Sequence, residues 1–329
     1  MCMFFGQKPH RSIRAANHPV FKEIWDSCAK ELKEKGFDTE VYFVPGGVGV
    51  KILNDNCPSI AKIAHLPISE FDFSQVSNPI LAHLDFFRLQ GLKLSRSPEV
   101  NFSELSPFSL RRIHADSSTA RDFSALSAQP LEELSLCQTN LSNLDFLKDI
   151  KLHAFFTSNN PIDSIGGLDC QELKILDLFK CPMLDLAPLV DSPIEELNLN
   201  GTMISDLSPL AARPLRKLEM RATQVRELSS LSDCPLEVLH LPGSPIKNIS
   251  PLSYLPLKEI NLIGLSIEDL DPLSTMPLEH LSLSPDKLSE GQFELLRGIK
   301  LKSLIGPGDP PGQTPSDFFK KYENDKRRN

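Results

Sequence analysis

The chain has 329 residues, 40% of them hydrophobic and 24% charged, which is ample material for a core and reads as globular, either as two or three ordinary domains or as one elongated one. A net charge of −8 argues against nucleic acid and anionic membrane as partners, and the basic cluster Lys320, Lys321, Lys326, Arg327 and Arg328 is broken by Glu323 and Asp325 and reads as a solvated terminus. The seven cysteines are odd in number, scattered and free of any CxxC pair, which excludes a disulfide framework or structural zinc site and predicts buried thiols in a reducing cytoplasm.

The opening MCMFFGQKPHRSIR has too few apolar residues before Gln7 and Lys8 for a signal-peptide core, and no stretch approaches the roughly 18–20 apolar residues of a membrane span. Next, Val20, Phe21, Ile24, Trp25, Cys28 and Leu32 follow helical spacing and predict an amphipathic helix near 19–35. Alternation at Val41, Phe43, Val48, Val50 and Ile52 about Pro45-Gly46-Gly47 predicts a hairpin. The same GGVGVK superficially resembles a phosphate-binding loop, but no helix pattern follows it and the full glycine spacing is incomplete. The turn reading is preferred.

From residue 68 one register governs the chain. Ile68, Leu89, Leu110, Leu131, Leu152, Leu173, Ile194, Leu215, Leu236, Leu257 and Leu278 stand at equal steps of 21, so eleven successive units share one length. Each reads roughly LxxLxLxxTxLxxLxPLxxxP. In the unit at 194 the alternation of Leu197 and Leu199 predicts a short strand with one buried face, and Ile204, Leu207 and Leu210 predict tight turns returning on the other side. Prolines such as Pro193, Pro214, Pro235, Pro256 and Pro277 end the units and keep the preceding residue out of helix. Ser208, Ser250 and Asp271, each followed by proline, predict helix caps for a return path so short that it must be 3₁₀ or turn. A strand-like LKSLI begins at Leu301 after a slightly longer spacing. Ser289 with Gln292 predicts a capping box for a helix to about Arg297, and Thr314-Pro315-Ser316-Asp317 starts a last helix bearing Phe318, Phe319 and Tyr322.

This pattern resembles leucine-rich repeats over residues 68–305. The resemblance implies an α/β solenoid with a parallel inner sheet, a 3₁₀ or turn outer side, and helical and hairpin caps: a cap at 1–67, an array at 68–305, and a linker and helix at 306–329. The asparagine usual at the ninth position is retained at Asn160. Thr139, Thr202, Thr223, Ser97, Ser118 and Ser244 replace it elsewhere, and Cys181 and Leu265 depart from it. GFDTEV and GGVGVKI before the array, units ending in SPL, and GIKLKSLIG and SDFFKKY after it are similar to certain proteins of planctomycete-like bacteria, in which repeats follow a serine/threonine kinase domain. The 67 residues before the repeats are too few for a kinase domain, so the expectation is a stand-alone relative or the repeat half of a longer product.

No catalytic constellation emerges, and neither a cofactor nor a metal is expected. His114, His153, His240 and His280 lack ligand spacing, and the kinase signatures HRD and DFG are missing. Glu195 and Glu196, adjacent on a strand, point in different directions. Second positions from Glu195 run Glu195, Arg216, Glu237, Lys258 and Glu279, which predicts a ladder of alternating charge; at the third position Glu196 is expected beside Lys217, and Glu133 beside Arg112.

The inner face displays third, fifth and seventh positions over roughly 50 Å. At about 750 Å² it approaches the ~800 Å² that one partner contributes to a standard interface. Most displayed residues are polar. The exceptions Phe156, Ile175 and Phe179, with Asp177 between them, are the first candidate binding group, and Val238, Pro242 and Ile263 the second. The expected function is a cytoplasmic, non-enzymatic module holding a protein or extended peptide on its concave face. The alternatives are a regulatory or substrate-recruiting part of a bacterial serine/threonine kinase system and, more weakly, a surface adhesion protein.

Overall fold

The computed structural model describes residues 19–45, 47–74, 76, 77, 79, 81, 83–96 and 100–328. Gly46 of the predicted turn, Ser97 of the ninth-position series, and the side chains of Val20, Phe21, Lys326, Arg327 and Arg328 lie outside the described residues. Two compact units divide the chain, one holding residues 1–161 with 167–169 and the other 162–166 with 170–329.

In the first unit, helix α1 (Pro19–Glu34) buries Cys28 and Leu32, and Trp25 stacks on Phe43 with ring centroids 6.4 Å apart. Ile24, expected on that apolar face, is instead 37% exposed. Strands β1 (Thr39–Val44) and β2 (Gly47–Ile52) form the antiparallel hairpin. Strands β3 (Ile68–Asp72), β4 (Gly91–Lys93), β5 (Arg112–His114), β6 (Glu133–Ser135) and β7 (Ala154–Phe156) then follow in parallel.

The second unit repeats the pattern with β8 (Ile175–Asp177), β9 (Glu196–Asn198), β10 (Lys217–Glu219), β11 (Val238–His240), β12 (Glu259–Leu262), β13 (His280–Leu283) and β14 (Ser303–Ile305). Leu197 pairs with Leu218 and Leu218 with Leu239, so the step of 21 is the sheet register itself. At the end His280 pairs with Ser303 instead, and the longer spacing is absorbed by helix α2 (Glu290–Gly298).

The leucines build the core because each coil turns the same positions inward. Ile194, Leu197, Leu199, Ile204 and Leu210 are all fully buried. One such side chain withdrawn from water contributes about 1.5–3 kcal/mol, so every coil is held chiefly by apolar burial. The return paths are short 3₁₀ turns such as Ser208–Leu210 and Ser250–Leu252, with proline at the start.

The expected caps are not formed by Ser208, Ser250 and Asp271. Each is already the first residue of its turn, and the carboxylate or amide two residues upstream takes its N–H: Asp206 from Ser208, Asn248 from Ser250 and Asp269 from Asp271, all at 2.8 Å. In each case an Asx turn closes just ahead of the 3₁₀ turn, and the Ser208 hydroxyl donates back to Asp206 at 2.7 Å.

Ninth-position hydroxyls do bond loop backbone. Thr139, Thr202 and Thr223 donate to the carbonyls of Leu136, Leu199 and Met220 at 2.8, 2.7 and 3.1 Å. The chain ends as its capping signals predict. Ser289 and Gln292 complete their reciprocal capping box on α2, and helix α3 (Pro315–Arg328) buries Phe318 and Phe319. Asp309 fastens α3, accepting from the Gly306 N–H at 2.8 Å and the Tyr322 hydroxyl at 3.3 Å and pairing with Lys321.

Candidate functional site on the inner face

Inner-face side chains are set by the strand's period of two: residues 4 and 6 of each coil go inward, so 3 and 5 are displayed. In the first unit two displayed basic side chains converge on one carboxylate. Glu70, with a side chain only 4% exposed, lies 3.2 Å from the Lys93 ammonium and 3.2 Å from Arg112 Nε, and it accepts from the Tyr42 hydroxyl at 2.9 Å. Burial, then the nearby Glu70 and Asp72 charges, push the Tyr42 phenol well above its ordinary range.

Arg112 therefore reaches back two coils instead of pairing with Glu133, its expected neighbour. It passes over Gly91, where a β-carbon would overlap the Glu70 carboxylate. Glu133 bonds His114 Nε2 at 2.7 Å instead. Burial pushes the Glu133 carboxyl up, but the bond and charge of His114, with the nearby Arg112 and Lys93 charges, together outweigh it and hold it below the usual glutamate range.

The second unit distributes its charges pairwise. Arg216–Glu237 at 2.7 Å and Lys258–Glu237 at 2.5 Å are two rungs of the second-position ladder read from the sequence, whereas Glu195 pairs with Lys174 at 3.2 Å instead of Arg216, and Glu279 with Lys302 at 2.6 Å instead of Lys258. At the third position Lys217 stands in register with Glu196, as expected, but its ammonium lies 2.9 Å from Glu219. His240 Nε2 lies 2.9 Å from Glu259 Oε1, the same diagonal as His114 with Glu133, and that bond holds the Glu259 carboxyl low.

The predicted binding residues stand as follows. Phe156 ends β7 in the first unit and is half-buried. Ile175 and Asp177 bound β8 in the second, with Phe179 two residues on. Asp177 is 5% exposed, and its carboxylate accepts the Phe179 N–H at 2.9 Å, so it shapes the strand end and presents little to solvent. Phe179 is half-buried, with the Lys180 ammonium 5.3 Å from its ring centroid. Val238, Pro242 and Ile263 are likewise half-buried; the Gly243 N–H, next to Pro242, donates to the Ile263 carbonyl at 3.3 Å, whereas Val238 lies at the far end of its strand in register with Glu259.

Sequence reasoning missed the Glu70 hub, although a glycine at the third position, Gly91, was its visible sign. It also missed Leu184 and Met203, which are 62% and 55% exposed. Their neighbours Met183 and Ile204 are fully buried, so both lie on the outward side of one inter-coil ladder, where Met203 N–H meets the Met183 carbonyl at 3.0 Å. Among the described residues no group of three His, Cys, Asp or Glu side chains is placed to hold a metal ion. No described helix is long and apolar enough to cross a membrane.

No family model and no curated protein matches the chain. Among solved structures it is similar to an internalin of Listeria monocytogenes, with a TM-score of 0.57, 20% identity, and coverage of 68% of this chain and 76% of that one. A leucine-rich-repeat protein of Leptospira interrogans gives a TM-score of 0.52 at 17% identity, over 83% of this chain and 74% of that one. The fold is a leucine-rich-repeat solenoid. Its coils of 21 residues, parallel strands and 3₁₀ return turns account for both likenesses, and at these identities they speak for the fold alone.

Proposed function

We propose that this leucine-rich-repeat chain is a non-enzymatic binding module that holds a protein or extended peptide on its inner face. The observation that carries the reading is the half-exposed apolar group of Val238, Pro242 and Ile263 within a polar, mutually paired surface, together with Phe179 on the same unit. Apolar anchors ringed by polar groups are the usual energetic centre of a protein interface. Asp177 is engaged in a backbone turn and Glu219 and Glu259 in ion pairs, which supports a structural part for these inner-face carboxylates. Burial of Cys28, Cys137, Cys170, Cys181 and Cys234 supports a cytoplasmic setting.

Capture from native cell extract tests this when the wild type is compared with two double variants, Phe156→Ser with Phe179→Ser and Val238→Ser with Ile263→Ser. We expect the same captured protein to be lost from at least one variant with thermal stability nearly unchanged. Identical capture by all three chains sinks the reading, as does reproducible turnover abolished by Glu196→Gln. Similarity of the end motifs to kinase-associated repeats favours a second role, recruitment within a serine/threonine kinase system. A kinase as the captured protein would select it.

A further inference from the structure

A cleft of about 870 Å³ opens on the loop side of the first unit, between residues 117–124 of one coil and 138–146 of the next. That volume is typical of small-molecule sites. The feature that sets it apart is a departure from the repeat. Position eight is left-handed in coil after coil, as at Ser117, Gln138, Asn159 and Lys180, but at position ten, among the described residues, only Asn140 is, with φ 59°. In the second unit the same position lies on an inter-coil ladder, Met203 donating to Met183 and Gln224 to Ile204. Around Asn140 the ladder is replaced by Asn160, whose Oδ1 accepts the N–H groups of both Thr139 and Leu141 at 3.0 and 3.1 Å. The retained ninth-position asparagine thus fixes the backbone on both sides of Asn140 from the far coil, and the cleft lies on the near side.

The lining defines the ligand. Phe123 and Leu141 make a buried apolar floor, with Phe146 stacked on Phe123 at 6.3 Å between centroids. Asp122 is engaged by the Ser124 N–H at 2.8 Å and Asp145 by the Asn143 amide at 3.0 Å. Among the described residues, the side chains of Arg121, Asn140 and Ser142 have no hydrogen-bond or ion-pair partner. Asparagine and serine both donate and accept, as alcohol groups do, whereas phosphate or carboxylate accepts only. Two aspartates against one arginine leave the lining without positive excess, which disfavours an anion.

We propose that this cleft binds a neutral saccharide, its C–H face against Phe146 and its hydroxyls on Asn140, Ser142 and Arg121. The test is saturation-transfer NMR on the full chain with glucose, galactose, mannose, N-acetylglucosamine and their methyl glycosides at millimolar concentration. We expect transfer to at least one of them, and about a fivefold weaker affinity for each lost side-chain bond in Asn140→Gly and Ser142→Ala. Glycine retains the left-handed backbone, so Asn140→Gly should melt with the wild type. A free sugar that binds identifies a soluble ligand, and glycosides alone identify a glycan end; either supports the site. Transfer to none of the probes, equal affinity in both variants, or glucose 6-phosphate binding better than glucose overturns it. Inner-face variants such as Val238→Ser should leave sugar binding unchanged, so this result stands apart from the protein-binding reading.

Discussion

The two units carry the same repeat yet differ in where they gather charge. In the first, Tyr42, Lys93 and Arg112 close on a single buried carboxylate, Glu70; in the second, the second-position acids Glu195, Glu237 and Glu279 each meet a base one coil away at the exposed edge. The register is common to both, so the difference comes from one absent side chain. Gly91 leaves a gap through which a charge can reach past its neighbour. A solenoid can therefore keep its backbone constant and still concentrate or spread its electrostatics by the choice of one displayed residue.

The largest expected effect is at the hub. Glu70→Ala leaves Arg112 and Lys93 without their counter-ion in a desolvated setting and should cost about 3 kcal/mol in urea unfolding. A loss no greater than that of an exposed pair would erase the contrast between the units. Asn160→Ala comes next. It removes the acceptor for two buried N–H groups and should destabilise by about 2 kcal/mol, against about 1 kcal/mol for Thr202→Val, which removes one hydroxyl bond.

A pH titration sharpens the comparison further. His114, helped by the Arg112 and Lys93 charges, holds the folded-state Glu133 carboxyl low, so its contribution is present above the unfolded glutamate range and fades as pH falls through the folded value. Stability should therefore decline on acidification below that range, and Glu133→Gln should flatten the slope. An unchanged slope would remove the His114 pairing from the account. The smallest effect belongs to the exposed ladder, where Glu237→Gln should cost less than about 1 kcal/mol and less still in high salt.

The sequence by itself determined the coil. Apolar residues recurring every 21 positions, with proline closing the units, fix strand, return turn and register, because these follow from local backbone rules and from which side of a short strand must leave water. The Arg216–Glu237–Lys258 part of the second-position charge ladder was legible for the same reason, since register alone makes those residues neighbours. Tertiary structure decided whatever depends on space between coils. Arg112 chose Glu70 over Glu133 because Gly91 leaves room, Asp177 turned from a displayed charge into a backbone acceptor, and the expected serine caps gave way to Asx turns two residues upstream. A displayed side chain has several partners within reach, and its choice among them rests on volume and desolvation, which a linear pattern does not encode.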